Sequence, residues 1–227
     1  EDHAHIFAKY PVLKEKMEQS FAIITSALET FGAQSLLLSW NGGKDATVLF
    51  HLVRFVCELQ QPRIPFSSIE AINFISKEGE DFEEVRNFAK QQAEKYRLNF
   101  RELYIEKSMR ETLNSFLEQR HVEGIFMGSR RSDPFCANLE GFSPSDTQNG
   151  WAKFMRVNPI LDWGYAQIWE FLNGFEIKYC ALYDQGYTSL GSPLRTKPNP
   201  KLERGDGSYL AACFLEDESS ERDGRVS

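Results

Sequence analysis

The chain has 227 residues, 41% of them hydrophobic, enough for one sizeable α/β domain or a domain with an added subdomain. A net charge of −7 and a pI of about 5.3 argue against a general nucleic-acid surface, which needs a basic face, but leave room for anionic small molecules held by a local arginine cluster. Cys57, Cys136, Cys180 and Cys213 form no C-x-x-C pair and read as reduced thiols of a cytoplasmic protein. No apolar run reaches the ~18–20 residues of a membrane span. A monomer without membrane or nucleic-acid partners is the default.

Residues 1–34 space their apolar positions helically, with Pro11 dividing two helices or starting one. Residues 35–40, Ser-Leu-Leu-Leu-Ser-Trp, read as a buried parallel strand. A helix follows over 44–59. The alternation continues with a strand at 68–74, a helix at 82–96, a strand at 100–105, a helix at 109–119 and a strand at 124–128. Four strands with intervening helices predict a parallel α/β sheet with right-handed crossovers.

Residues 129–158 show little periodicity and read as a long loop, whose aromatic content favours a functional role. A short amphipathic helix is expected over 165–172. The terminal residues 216–225 are so charged that composition alone predicts a disordered tail. The chain thus divides into a helical segment (1–34), an α/β core (35–129) and a C-terminal segment (130–227).

The strongest motif is Ser39-Trp-Asn-Gly-Gly-Lys-Asp45, between a buried strand and a helix. Two glycines allow a sharp turn and close approach to a ligand. Successive N–H groups can then point into one concavity at the positive end of the helix. Lys44 adds a point charge for phosphate, Asn41 an amide donor, and Asp45 a carboxylate for Mg2+. Neither G-x-x-x-x-G-K-S/T nor G-x-G-x-x-G occurs.

This loop resembles the pyrophosphate loop of the adenine-nucleotide alpha-hydrolase superfamily, which includes PAPS reductase-like proteins and cleaves ATP between its α and β phosphates. The resemblance implies a Rossmann-like open parallel sheet of about five strands, helices on both faces, ATP at the carboxyl edge, and a C-terminal α/loop subdomain. A second block, Gly128-Ser-Arg-Arg-Ser-Asp-Pro-Phe135, resembles the signature of the eukaryotic-type FAD synthase (FMN adenylyltransferase) family. Further segments match in order: 142–146, 151–156, 158–163, 168–172, 182–191, Asn199-Pro200, and the terminal Glu221-Arg222-x-x-Arg225.

The family implies adenylyl transfer from ATP to FMN with Mg2+, giving FAD and pyrophosphate. Asn41 and Asp45 are then expected at the ATP phosphates and magnesium. Asp133 is expected at the reacting centre, and Arg222 and Arg225 folded back over the phosphates. Asp146 and Trp151 are expected near the flavin ring, although residues 147–150 separate them more widely than in some relatives. Ser39, Trp40, Gly42, Gly43, Lys44, Asn73, Gly128, Arg130, Arg131 and Arg156 complete the expected ligand-binding set.

Two alternatives stay open at this level: a PAPS-type reductase, which needs a redox cysteine, and a nucleotide- or flavin-binding module without chemistry. Cys213 sits near the terminus, but its setting, Ala-Ala-Cys-Phe-Leu, reads as an apolar strand. Trp163 and Trp169 are expected in the core, and the four histidines show no ligand spacing.

Overall fold

The computed structural model describes residues 4–76 and 80–226. Pro11 opens the long helix of the N-terminal pair, α1 (Ala4–Lys9) and α2 (Pro11–Phe31). There its missing N–H removes nothing, because a first-turn donor has no partner within the helix. The core then alternates β1 (Leu36–Ser39), α3 (Lys44–Leu59), β2 (Glu70–Ile75), α4 (Glu83–Lys95), β3 (Phe100–Tyr104), α5 (Met109–Leu117) and β4 (Gly124–Phe126). Ser108 caps α5, accepting from the Glu111 N–H at 3.2 Å.

The segment expected to be a loop adds two strands, β5 (Phe142–Pro144) and β6 (Met155–Val157), before α6 (Tyr165–Gly174). Sheet order is β3-β2-β1-β4-β6-β5; β5 alone runs antiparallel. Six strands therefore replace the expected five or so. Each added strand has three residues, too few for a period to show, and Pro144 marks an edge position.

Alternation along β1 sorts the layers. Leu36, Leu38 and, just beyond the strand, Trp40 face a core built with α2, α3, α4 and α6. Leu37 faces the other side with Ile72 and Ile125, covered by α5 and Phe154. Helices thus cover both faces. Among the described residues no helix is long and apolar enough to cross a membrane.

The terminal residues, which composition alone marks as disordered and the resemblance implies are folded back, are pinned to the domain. Asn199, fully buried, donates to the Ser220 carbonyl at 2.8 Å and to Thr188 Oγ1 at 2.9 Å. Thr188 in turn donates to the Glu221 carbonyl at 2.7 Å. Val226 N–H donates to the Arg195 carbonyl at 2.9 Å. Residues 212–214, expected as strand, form a 3₁₀ turn instead.

His51 on α3 is buried against Phe50 and Tyr96 (ring centroids 5.2 Å from each). Burial, with Arg54 and Lys95 nearby, pulls its pKa from 6.5 to about 3. Between those values the unfolded chain binds a proton that the folded chain does not, so stability falls as pH drops through this window and is unaffected above it. The limiting slope is about 1.4 kcal/mol per pH unit. Urea unfolding at pH 7 and pH 5 is expected to show wild type losing about 2 kcal/mol more than His51→Gln.

Candidate active site

A cleft of about 490 Å³ opens beyond the carboxyl ends of β1, β2 and β4. Chain order reverses between β1 and β4, the place where open α/β sheets bind ligands. Ser39 ends β1 there, Asn73 lies on β2, and Gly128 follows β4.

The 40–43 turn depends on Gly42. Its φ is +80°, and a Cβ would lie 2.7 Å from the Val85 carbonyl oxygen of α4. Both the left-handed backbone and the close approach require glycine. Asn41 Oδ1 accepts from the Gly43 N–H at 2.9 Å, which leaves its NH2 group free to donate. The Lys44 N–H, at the start of α3, donates to the Tyr183 hydroxyl at 2.8 Å.

Beneath the turn lies a four-charge cluster. Lys44 Nζ is 2.9 Å from Asp45 Oδ2 and 2.6 Å from Glu221 Oε1. Arg130 Nη2 donates to Glu221 Oε1 and Oε2 at 2.6 and 2.5 Å. Arg130 Nε lies 2.8 Å from Asp45 Oδ1, but out of hydrogen-bond alignment. Both cations are at most 2% exposed. Burial acts to raise the Asp45 carboxyl; Lys44 and Arg130 outweigh it and hold the pKa below the usual value. Burial likewise acts to lower Arg130, and Asp45 and Glu221 more than reverse this.

Asp133 closes the turn after β4. Its Oδ2 accepts from the Arg130 backbone N–H at 2.8 Å, and its Oδ1 from Arg222 Nη2 at 2.9 Å. Arg225 donates Nε to Ser189 Oγ at 3.1 Å and Nη2 to the Leu190 carbonyl. It passes directly over Gly191, where a Cβ would sit 1.4 Å from Nη1. Burial, then the neighbouring Arg222, pulls the Arg225 pKa down from its ordinary value.

The cleft wall therefore brings together Ser39, Asn41, Gly43, Lys44, Asp45, Asn73, Gly128, Asp133, Arg222 and Arg225. It does not include Trp40, which is fully buried and donates Nε1–H to the Ala89 carbonyl at 3.0 Å. Gly42 packs behind the turn, and Arg130 lies below it. Arg131 points elsewhere, pairing with Asp162 at 2.6 Å and with the Ala137 and Leu139 carbonyls.

Asp146, Trp151 and Arg156 belong to the β5–β6 hairpin. Asp146 accepts from Asn149 Nδ2 at 2.6 Å and caps the turn at 147–149. Trp151 packs on the α5 side of the sheet, and Arg156 donates to the Pro144 carbonyl. The hairpin tip adjoins the cleft through α5. Met109 lines the cleft, and Arg110, next along the helix, donates to the Asn149 carbonyl at 2.7 Å.

Two residues of the site escaped the reading from sequence, Glu221 and Tyr183. Both lie inside matched segments, and no local pattern marks either one. Their partners on the phosphate turn are 177 and 139 residues away.

Comparison with known proteins follows this geometry. The family model for the phosphoadenosine phosphosulfate reductase domain matches residues 100–198. A probable FAD synthase of Schizosaccharomyces pombe is 40% identical over 215 residues, covering 94% of this chain and 80% of that protein. A probable FAD synthase of Caenorhabditis briggsae is 35% identical over 92% of this chain, which spans only 40% of that longer protein. The crystal structure of Candida glabrata FMN adenylyltransferase in complex with FAD and inorganic pyrophosphate shares the fold. It has a TM-score of 0.85 and 24% identity, over 98% of this chain and 89% of that one. With two fifths of its residues identical across nearly its whole length to the fission-yeast protein, the chain belongs to the FAD synthase family.

Proposed function

We propose that this protein transfers the adenylyl group of ATP to the phosphate of FMN, making FAD and pyrophosphate. The observation that carries the reading is the tail. Arg222 and Arg225 line the same cleft as Asn41 and Gly43 of the phosphate turn, where a reaction between two anions needs cations. The relative whose fold it shares holds FAD and pyrophosphate together.

The chemistry asks for position more than for acid or base. The FMN phosphate is already an anion at neutral pH, so no residue has to deprotonate it. The barrier lies in bringing two anions into line and in stabilising the departing pyrophosphate. Asn41 can donate its amide to a phosphate oxygen. Arg222, 43% exposed in its pair with Asp133, can exchange that carboxylate for phosphate. Arg225 is held in place by Ser189 and Leu190 and brings its charge to the same wall.

For Mg2+ the reading relies on one carboxylate of the cleft, Asp45; among the described residues no group of three or more His, Cys, Asp or Glu side chains is placed to hold a metal ion. Asp45 lines the cleft, and its Oδ1 makes no aligned hydrogen bond but lies 2.8 Å from Arg130 Nε, a cation with which a bound ion would have to share the carboxylate. Asp45 would hold the ion, which when bound would neutralise phosphate charge. For the flavin, the reading places the ring towards Met109, with its polar edge at Asp146. The reading is of a monomer acting on two small molecules, and the free thiols fit the cytoplasm.

The PAPS-type reductase is disfavoured by its thiols. Burial raises the pKa of Cys57 to about 12 and raises those of Cys136, Cys180 and Cys213. Reactive cysteines are typically shifted the other way, and none of the four lines the cleft.

Incubation with ATP, FMN and Mg2+, followed by chromatography, is expected to yield FAD and pyrophosphate in equal amounts; absence of both would overturn the proposal. Arg225→Ala is expected to lower kcat/KM by roughly 10²–10³-fold, the loss typical of a donor aimed at developing charge. Asp146→Ala is expected to weaken FMN binding in a fluorescence titration while leaving the KM for ATP within about twofold, the scale of a minor perturbation.

Glu221→Gln removes one charge from a buried pair of pairs, an uncompensated loss of about 3–5 kcal/mol. Faster amide exchange at residues 221–226 and a fall in kcat are expected. Charge-balanced Lys44→Met/Glu221→Gln is expected to recover part of the exchange protection.

A further inference from the structure

We infer that Tyr183 is a phosphate-binding residue: its hydroxyl, anchored on the phosphate turn, donates a hydrogen bond to the part of ATP that leaves as pyrophosphate. The inference rests on the proposed adenylyl transfer and names a contact that no matched motif assigns.

The hydroxyl sits on the Lys44 N–H at 2.8 Å, at the start of α3, where an anion's oxygen would otherwise be received. Tyr183 is 2% exposed, yet it lines the cleft. Its ring is fixed edge-on against Trp169, with centroids 5.7 Å apart, and near Tyr179 at 6.4 Å. A hydroxyl that accepts from Lys44 still has its own proton to give, and among the described residues nothing accepts it. A buried donor without an acceptor in a cleft built for anions has a ready use, since a phosphate oxygen satisfies it.

The proton stays on the oxygen. Burial, and then the charge of Asp45, raise the pKa of Tyr183 well above that of an ordinary phenol. Tyr183 therefore binds as a neutral donor and neither gives up nor takes a proton in the reaction. Its neighbours indicate which phosphates it meets. The same 182–191 segment carries Ser189 and Leu190, which hold the Arg225 guanidinium on the cleft wall. Tyr183, Arg225 and the first turn of α3 gather donors where the most anionic group, the departing pyrophosphate, is to be stabilised.

Tyr183→Phe removes only the hydroxyl and keeps the packing ring. A hydrogen bond to a charged group corresponds to about a tenfold or larger change in binding. The variant is expected to raise the KM for ATP and the Kd of inorganic pyrophosphate, measured by calorimetry, by about tenfold or more, with the KM for FMN within about twofold.

Unchanged ATP and pyrophosphate constants with a lowered Tm would overturn the inference, leaving Tyr183 as a cap on the Lys44 N–H. An equal loss for FMN and ATP would overturn it too, because that reports a distorted turn. If wild type makes no FAD, the proposed function fails. The pyrophosphate isotherms of wild type and variant still decide the role of Tyr183.

Discussion

Two buried cations and two carboxylates that border the cleft, gathered beneath the 40–43 turn, govern how this cleft is built. Removing any of them from water alone costs several kcal/mol per ion, which mutual attraction offsets only when the geometry is close. Here the contacts run from 2.5 to 2.9 Å. Lys44 and Asp45 start α3, Arg130 follows β4, and Glu221 comes from the terminal segment. No one of these segments can bury its charge without the others. The turn, the mid-chain loop and the tail are therefore tied to one another by charge, and the tail supplies Glu221, Arg222 and Arg225 to the cleft wall.

The core was legible because its physics is local. A continuous apolar run at β1 followed by a glycine pair announces a buried parallel strand and a ligand-facing turn. Period-two alternation explains Trp40, which sits inside the turn motif yet lies in the core. It shares the face of Leu36 and Leu38, whereas Ser39 belongs to the other face and reaches the cleft. Strands β5 and β6 escaped because three residues carry no period.

The tail misled by composition for a different reason. A charge-rich terminus looks solvated when its partners are unknown, and the partner of Arg222 is 89 residues away. Only resemblance to a family pointed to its ordering. Glu221 and Tyr183 mark the limit of reading from sequence, since a lone Glu and a lone Tyr acquire meaning only from what the fold brings against them.

The depth of each charge pair determines what it can do. In the described state the cleft is only partly paired: Gly43 gives its N–H to Asn41, Lys44 gives its N–H to Tyr183, and Arg222 rests on Asp133, while the Asn41 amide and the Tyr183 hydroxyl keep protons to donate. An entering polyanion meets these free donors directly, and of the existing pairs Arg222–Asp133 is the one placed to exchange its partner. Arg222 and Asp133, 43% and 24% exposed in their side chains, are partly hydrated and lose little when phosphate replaces carboxylate. Lys44 and Arg130 are at most 2% exposed, and parting them from Glu221 would strand charge in the interior. The rim pair is thus free to answer the substrate while the buried pairs hold the wall. That division explains why Lys44, although it stands in the phosphate motif, is committed to carboxylates, and why the proposed function looks to the end of the chain for its phosphate-binding cations.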